Sequence, residues 1–219
     1  IRRVATMNAW TRWHHDVLGE KLVKALEKNN FTATYVPNRQ AAADKLLELI
    51  PADATIGYGG SVTLSELAVL PRLEERGNTI LHTNKPGITP QEMKAIRRQH
   101  LLTDVYLTGT NAVTLDGKIV NTDATGNRVG AMMFGPEKVF IIVGVNKAVK
   151  DVAEAEQRVR LWASPPNNKR LGYPNPCAMT GVCVDCQGPT RICNVTTIMH
   201  KRPRLTDIHV IVVGEQLGL

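Results

Sequence analysis

The chain has 219 residues, of which 43% are hydrophobic and 21% charged; these proportions are close to globular averages, so they exclude global disorder, and the length favours one large domain over two. No apolar run reaches the roughly 18 residues of a membrane span, and the aromatic fraction of 5% argues against a stacking surface for single-stranded nucleic acid. The formal charge of +7 at pH 7 is compatible with an anionic partner.

The first sixty residues alternate predicted helices with predicted strands. Apolar residues recur at helical spacing over residues 10–29 and again over residues 39–50, which predicts two amphipathic helices. Residues 31–36 are rich in β-branched and aromatic side chains and precede a proline, so they predict a strand that ends there. Residues 54–60 form a short apolar run that leads into glycines and predict a second strand.

The same alternation continues through most of the remaining chain. The spacing of Thr63 and Glu66 is that of a capping box and predicts a helix that begins there, and Thr89 with Glu92 predicts a second capped helix. The dipeptide Asp116-Gly117 between two short apolar runs is typical of a hairpin. The other predicted elements are strands over residues 79–82, 105–108, 138–144 and 209–214, helices over residues 90–100 and 151–162, and the hairpin over residues 112–121.

This alternation predicts an α/β fold with an open, mostly parallel, doubly wound sheet, because parallel strands need helical crossovers between them. Residues 1–219 form a single domain in this interpretation. Ligands of such sheets bind at the carboxyl ends of the strands. Residues 163–204 differ from the rest, since they contain six prolines, four cysteines and no clear periodicity. We predict a loop-rich excursion in this part of the domain.

The four cysteines of the excursion have the spacing Cys-x5-Cys-x2-Cys-x6-Cys. Buried free thiols would need an apolar setting, which a proline-rich polar loop does not offer. Disulfides need an oxidising compartment, whereas the N-terminal residues show no secretory signal and predict a cytoplasmic protein. We therefore predict that Cys177, Cys183, Cys186 and Cys193 bind a metal centre, whose binding energy orders the segment.

The sequence leaves two choices for this metal centre. Structural zinc sites with four cysteines usually have a close pair of cysteines at each end, and here only Cys183 and Cys186 form such a pair. A [4Fe-4S] cluster is wider and tolerates uneven spacing, so we favour it and keep zinc as the alternative. Residues 169–204 contain six basic residues and one acidic residue, and this positive charge would balance either centre. His200 is a further candidate ligand, which four thiols make unnecessary.

Two polar loops that follow predicted strands are candidate ligand sites. Residues 57–63 contain three glycines and a serine, which would let backbone N–H groups approach an anion, although a tight connection needs the same small residues. This loop lacks the motifs of nucleotide-binding loops. The second loop region has side chains that are costly to bury unpaired, although turns also favour Asn, Asp and Gly. These side chains are Asn111, Asn121, Asp123, Asn127 and Arg128.

Five segments of the sequence together resemble a known family. They are GYGGSVTLSE, TGTNAVTLDGKIVNTDATGNRVGAM, GPEKVFIIVGVNK, RLGYPNPC and TGVCVDCQGPTRICN. Over nearly its whole length the chain resembles the lactate-utilisation (LUD) domain family, above all its stand-alone members with a C-terminal cysteine cluster. The resemblance implies the superfold of ribose-5-phosphate isomerase, glucosamine-6-phosphate deaminase and the CoA-transferases. It also implies a role linked to oxidation of L-lactate or a related hydroxy acid, usually alongside iron–sulfur partner proteins.

The resemblance further implies the position of a substrate site for a small anion. By this resemblance, the glycine loop corresponds to the loop that holds phosphate or carboxylate in the superfold, and Asp123 and Lys147 would line the same cleft. The substrate-binding candidates are Gly59, Gly60, Ser61, Thr63, Asn111, Asn127, Arg128 and Lys147, and the catalytic candidates are Glu66 and Asp123.

Three functions follow from these features. In the first, which we favour, a [4Fe-4S] cluster passes electrons during hydroxy-acid oxidation to a redox partner protein, since no flavin or nicotinamide motif is present. In the second, an isomerase, lyase or transferase acts on a small phosphorylated or carboxylated substrate, with Glu66 or Asp123 as base and a structural zinc ion. In the third, a module binds an acidic protein or nucleic acid, but no nucleic-acid motif supports it. Trp10 and Trp13 beside two histidines indicate either a helix that packs onto the sheet or a face for a partner or a homo-oligomer.

Overall fold

The structure, a computed structural model, describes residues 7–219 as strands that alternate with helices. The strands are, in chain order, β1 (Thr32–Val36), β2 (Thr55–Tyr58), β3 (Thr79–Ile80), β4 (Val105–Gly109), β5 (Ala112–Thr114), β6 (Ile119–Asp123), β7 (Lys138–Gly144), β8 (Ala148–Val149), β9 (Val195–Met199) and β10 (Asp207–Val213). The helices are α1 (Ala9–Lys28), α2 (Arg39–Leu49), α3 (Val62–Leu67), α4 (Val69–Glu75), α5 (Pro90–Gln99), α6 (Asn127–Met133), α7 (Val152–Arg158), α8 (Ser164–Leu171) and α9 (Cys177–Thr180).

Six of these strands form the central sheet in the order β1-β10-β7-β4-β2-β3, and every pairing within it is parallel. Apart from their first residues, β7 and β10 are fully buried, because other elements cover both faces of the sheet. The predicted α/β architecture with a mostly parallel, doubly wound sheet is confirmed. No helix among residues 7–219 combines the length and the apolarity that a membrane crossing needs.

The two faces of the central sheet carry separate hydrophobic cores. On one face, Phe140 of β7 packs in a cluster with Leu46 of α2 and Leu73 of α4. On the other face, the neighbouring Ile141 belongs to a cluster that includes Leu22 of α1. Successive residues of one strand thus enter opposite cores, as the alternation of side chains along a strand requires.

A second sheet, with the order β8-β5-β6-β9, lies over the face of the central sheet that carries α1. β5 and β6 form the predicted antiparallel hairpin. Val113 and Ile119 of this hairpin join the core beneath α1, whereas Ala112 and Val120 pack with Ala155 of α7. The sequence pattern does not predict this sheet, because β8 has only two residues and β9 begins with exposed ones.

Most predicted elements agree with the structure to within a few residues, and two differ. The helix after the glycine loop has Ser61 as its N-cap, and Ser61 Oγ accepts a hydrogen bond from Leu64 N at 3.3 Å. The predicted cap at Thr63 is therefore wrong, since a serine two residues earlier already satisfies a free N–H group of the first turn. The predicted helix over residues 151–162 is α-helical only to Arg158, after which a π-helical turn, Val159–Ala163, leads into α8.

Residues 163–204 hold more regular structure than we predict from the sequence. They contain α8, α9 and β9, while residues 181–194 between α9 and β9 form an irregular loop.

Near the start of α1, the side chains of Trp10 and Trp13 are 73% and 64% exposed. They are accessible to a partner, and self-association through this face stays a prediction.

Candidate functional site

A cleft of about 330 Å³ opens where β2, β4 and β6 end, beside the turn that follows β7. This is the edge at which parallel α/β sheets bind ligands. Of the ten predicted substrate-binding and catalytic residues, eight line the cleft, and Gly59 and Glu66 do not. The eight are Gly60, Ser61, Thr63, Asn111, Asp123, Asn127, Arg128 and Lys147.

The two other predicted residues contact neighbours of the cleft lining. A Cβ atom on Gly59 would lie 2.9 Å from Cδ of Arg128, so the absence of a side chain at position 59 makes room for the arginine. Glu66 Oε2 accepts a hydrogen bond from the backbone N–H of Gly218 at 2.8 Å. This carboxylate therefore holds the chain segment around residue 218, and it is not among the residues that line the cleft.

Arg128 lies between the end of β4 and the second sheet, and protein groups engage its whole guanidinium. Its Nη1 donates to Asn121 Oδ1 at 2.7 Å and to the carbonyl oxygen of Gly109 at 3.4 Å. Its Nη2 donates to the carbonyl oxygen of Thr122 at 2.8 Å and to Asn111 Oδ1 at 3.3 Å, and its Nε lies 3.4 Å from an oxygen of the Asp123 carboxylate. A ligand in the cleft would have to displace one of these acceptors to bind Arg128 directly.

The Asp123 carboxylate is held by the loop that follows β6. Its Oδ1 accepts hydrogen bonds from the backbone N–H groups of Thr125 at 3.0 Å and Gly126 at 3.1 Å. Its other oxygen faces Arg128, and the side chain is 7% exposed. These contacts fix a carboxylate at the edge of the cleft and leave it little freedom to rotate.

Lys147 lies at the inner end of the cleft, in the turn between β7 and β8, and only 4% of it is exposed. Its Nζ donates to Thr63 Oγ1 at 3.0 Å and to the carbonyl oxygen of Thr110 at 3.2 Å. Burial, together with the guanidinium groups of Arg158 and Arg128, lowers the pKa of Lys147 to about 7. Both the amine and the ammonium form are therefore populated near neutral pH.

Several residues of the cleft lie outside the set predicted from the sequence, namely Arg97, His100, Asn167, Arg170 and Tyr173. The first two lie at the end of α5 or just after it. The sequence of this helix does not predict that its polar residues reach the cleft. The other three belong to α8 or to the residues just after it. The sequence of residues 163–204 has no periodicity that would predict where this part of the chain lies. The strand-end rule finds loops that follow strands, and it cannot find a side chain that reaches the cleft from elsewhere.

His100 is the most buried of these additional residues, with 2% exposure. Its Nε2 lies 2.8 Å from the carbonyl oxygen of Leu81, so Nε2 carries the proton. Burial lowers the pKa of His100 and favours the neutral ring. Its Nδ1 is then a fixed hydrogen-bond acceptor, and it contacts no donor among residues 7–219.

The four cysteines line a second cavity, of about 20 Å³. All four are free thiols; Cys177 is buried and the other three are half-buried. Asn168 Nδ2 donates to Cys177 Sγ at 3.3 Å, and the backbone N–H of Asp185 donates to Cys183 Sγ at 3.4 Å. The fold therefore gathers at one cavity four cysteines that span 17 residues of an irregular segment.

The present spacing of these side chains does not form a site for a single metal ion. Within residues 7–219, no group of three or more His, Cys, Asp or Glu side chains is arranged to hold one. The cavity is only large enough for about one water molecule. A larger group at the four sulfurs would require side chains of the cavity to move apart.

The cysteine cavity and the cleft have residues in common. Ser164, the first residue of α8, lines both spaces, and its Oγ lies 3.0 Å from Cys193 Sγ. Ile192, which precedes Cys193 in the chain, also lines both. The two spaces are thus separated by a thin wall to which the same side chains contribute.

A family model described as the LUD domain matches residues 19–213, which is most of the chain. The chain belongs to the LUD domain family. The resemblance stated from the sequence motifs is confirmed, and at the level of the family it links this LUD chain to lactate utilisation. A comparison with curated proteins gives no match.

Solved structures provide a comparison for the fold of the LUD chain. A DUF162 family protein from Deinococcus radiodurans matches with a TM-score of 0.51 at 15% identity, and the match covers 91% of the LUD chain and 98% of the other. Ribose-5-phosphate isomerase A from Neisseria gonorrhoeae matches with a TM-score of 0.34 at 19% identity, covering 52% and 54%. Ribose 5-phosphate isomerase from Plasmodium falciparum matches with a TM-score of 0.34 at 17% identity, covering 51% and 52%. The first of these shows the shared fold.

Proposed function

We propose that this LUD protein is an iron–sulfur protein that takes part in the oxidation of L-lactate or a related small hydroxy acid. In this proposal the substrate binds in the cleft and electrons pass through a [4Fe-4S] cluster bound by the four cysteines. Membership of the LUD family supports the link to lactate. The observation that carries the redox part is the wall formed by Ser164 and Ile192, which the cleft and the cysteine cavity share.

The donor set at the cysteine cavity suits such a cluster. Four thiolates complete the ligands of a [4Fe-4S] cluster, which accepts and releases single electrons when bound. Polar groups already contact three of the four sulfurs, and hydrogen bonds to ligating sulfurs tune the potential of a cluster. Cys183, Cys186 and Cys193 belong to the irregular loop of residues 181–194, and the proposal requires this loop to move outward so that the cavity can hold the cluster.

The cleft has the charge that a small anion requires. Arg97, Lys147 and Arg170 face it, and no carboxylate among residues 7–219 lies within 4.0 Å of their nitrogen atoms. In its ammonium form Lys147 can bind the carboxylate of a hydroxy acid. Ser61 also lines the cleft, and its hydroxyl can contact the substrate hydroxyl. A buried ammonium with no carboxylate within 4.0 Å in the described part of the chain supports the binding of an anionic ligand.

The outer side of the cysteine cavity suits electron exchange with a redox partner protein. Val184 lines the cavity and is 52% exposed, so little protein separates the cysteines from solvent on this side. Oxidation of a hydroxy acid releases two electrons, whereas a single cluster carries one at a time. The protein that docks over this loop would therefore have to hold the two-electron acceptor.

The metal content of protein purified without oxygen tests this proposal. We expect a brown protein with about four iron atoms per chain and broad visible absorption that dithionite bleaches. The double variant Cys183→Ser/Cys186→Ser should lose most of the iron, because it removes two of the four ligands. Met179→Ala, an exposed change in the same segment, should keep it. A colourless protein with one zinc ion per chain, or equal iron in both variants, would overturn the proposal.

A further inference from the structure

We propose that Lys147 is a nucleophile that captures small 2-oxo acids in the cleft as an imine. The inference goes beyond the proposed function, since it requires neither a cluster nor a redox partner. It names the chemical class of a second ligand of the same cleft, the carbonyl compounds that correspond to 2-hydroxy acids. Four observations on the described residues support it, and they concern hydrogen bonding, charge, access and ligand size.

The hydrogen bonds of Lys147 account for two of the three directions around Nζ. Thr63 Oγ1 accepts at 3.0 Å and the carbonyl oxygen of Thr110 accepts at 3.2 Å. A neutral amine has two N–H groups, so both are satisfied by these acceptors, and the remaining direction carries the lone pair. An ammonium group would instead have a third N–H group in that direction, without an acceptor in the described chain.

The surroundings of Lys147 favour the neutral amine. The side chain is 4% exposed, and no carboxylate among residues 7–219 lies within 4.0 Å of its Nζ. The positive charges of Arg158 and Arg128 act on it, and the negative charge of Glu66 opposes them. With the pKa of Lys147 lowered to about 7, a substantial fraction of the side chain is unprotonated at neutral pH, as reactive lysines require.

The cleft gives this amine access to a carboxylated ligand. Lys147 lines the cleft although only 4% of it is exposed, so the side chain is shielded from bulk water and borders the space that a ligand would fill. Arg97 and Arg170 line the same cleft and can bind the carboxylate of a 2-oxo acid while Lys147 meets its carbonyl carbon. A volume of about 330 Å³ also leaves room for a ligand larger than pyruvate.

The chemical step needs no oxidant or reductant. The lone pair of Nζ adds to the carbonyl carbon and forms a C–N bond; both amine protons then leave with the carbonyl oxygen as one molecule of water, and a C=N bond remains. Uptake of a proton from solvent gives the iminium ion, whose N–H group can donate to Thr63 or Thr110. Cyanoborohydride, supplied as a probe, transfers hydride to this carbon and leaves a stable secondary amine.

Reductive trapping with pyruvate tests the proposal directly. The whole chain is incubated with pyruvate and cyanoborohydride at pH 6, 7 and 8, and the modified lysines are located by peptide mass spectrometry. We expect the adduct on Lys147 to exceed that on the exposed Lys150, which lies three residues away, by about tenfold at pH 7. The adduct should increase between pH 6 and pH 8, because the amine form increases as the pH rises through the pKa of Lys147.

Matched variants and ligands complete this test. Lys147→Arg should abolish the adduct, whereas Lys150→Arg should leave it unchanged. Acetone, which has a methyl group where pyruvate has its carboxylate, should label Lys147 several-fold less. Adducts spread evenly over exposed lysines would overturn the proposal. A yield on the unaltered chain that does not change with pH would also overturn it, and this measurement does not depend on how a variant folds. Equal labelling by acetone would overturn the assignment to oxo acids. None of these outcomes depends on iron content, so they are separate from the test of the proposed function.

Discussion

Arg128 illustrates how polar residues that look like a binding site in sequence can instead support one. In the sequence, Asn111, Asn121, Asp123 and Arg128 are concentrated after two predicted strands, which makes this region a candidate ligand site. The structure brings them together, but it also shows that they bond to one another. The number of polar residues is visible in a sequence, whereas the pairing of donors with acceptors depends on distances that only the fold fixes.

Replacement of Arg128 by methionine should therefore destabilise the protein strongly. The substitution removes five contacts and leaves the Asp123 carboxylate and the Asn121 amide oxygen with fewer partners in a buried setting. We expect a loss of about 3–5 kcal/mol in the free energy of unfolding, measured by urea denaturation. As a control, Arg39→Met removes an ion pair with Glu215 in which the arginine side chain is 48% exposed, and it should cost less than about 1 kcal/mol. Similar losses in both variants would contradict this account of Arg128.

Secondary structure was predictable wherever periodicity or capping chemistry is strong. The box formed by Thr89 and Glu92 is present at the start of α5, and the continuous apolar run of β7 identifies a strand buried on both faces. The second sheet was not predictable in the same way, since β8 is too short to show a pattern and β9 is half exposed. Its strands form mainly because they pair with strands that are distant in the chain, and a short stretch of sequence contains no information about such pairing.

The hairpin between β5 and β6 depends on Gly117 for two separate reasons. Its φ angle is +83°, a left-handed conformation that glycine adopts without strain, and a Cβ atom there would lie 2.3 Å from the carbonyl oxygen of Ala25 in α1. The turn thus packs against the helix that covers the central sheet. A side chain at this position would disturb both elements.

We expect Gly117→Ala to lower the free energy of unfolding by about 2–4 kcal/mol, since it combines backbone strain with a contact that backbone atoms cannot relieve easily. Gly87→Ala is the matched control, because Gly87 has a φ angle of +80° but no atom within 4 Å of the added Cβ. It should cost only about 1 kcal/mol, the part due to strain. Thermal unfolding of both variants measures the difference, and equal costs would show that the contact with α1 is unimportant.

In the molecule as a whole, the two hydrophobic clusters of the central sheet contain no cysteine, and all four cysteines lie in residues 177–193. The hydrophobic clusters on both sides of the central sheet contain no residue from 164–194. The order of layers was predictable from the alternation of strands and helices, because that pattern repeats along the chain. The path of residues 163–204 was not, since its prolines and cysteines carry no period and its position depends on contacts with α7 and β6.

This separation predicts that replacement of all four cysteines by serine leaves the core folded. The cooperative unfolding transition of the variant should stay within about 2 kcal/mol of that of the unaltered protein, while limited proteolysis within residues 177–193 should become about tenfold faster. Leu26→Ala, which opens a cavity in the core under α1, should show the reverse behaviour, with a loss of about 2–5 kcal/mol. Global unfolding of the serine variant would contradict the separation.

The position of β10 constrains the order in which a newly made chain can fold. β10 comes last among the described strands, yet it lies between β1 and β7, and it supplies the pairing of β1 in the central sheet. Because the ribosome synthesises a chain from its N-terminal side, β1 emerges before β10, and the two strands cannot pair until the residues of β10 have also emerged. The cysteine segment leaves the ribosome just before β10 does. If the cluster of the proposed function is inserted during synthesis, its insertion would coincide with the pairing of β1 and β10.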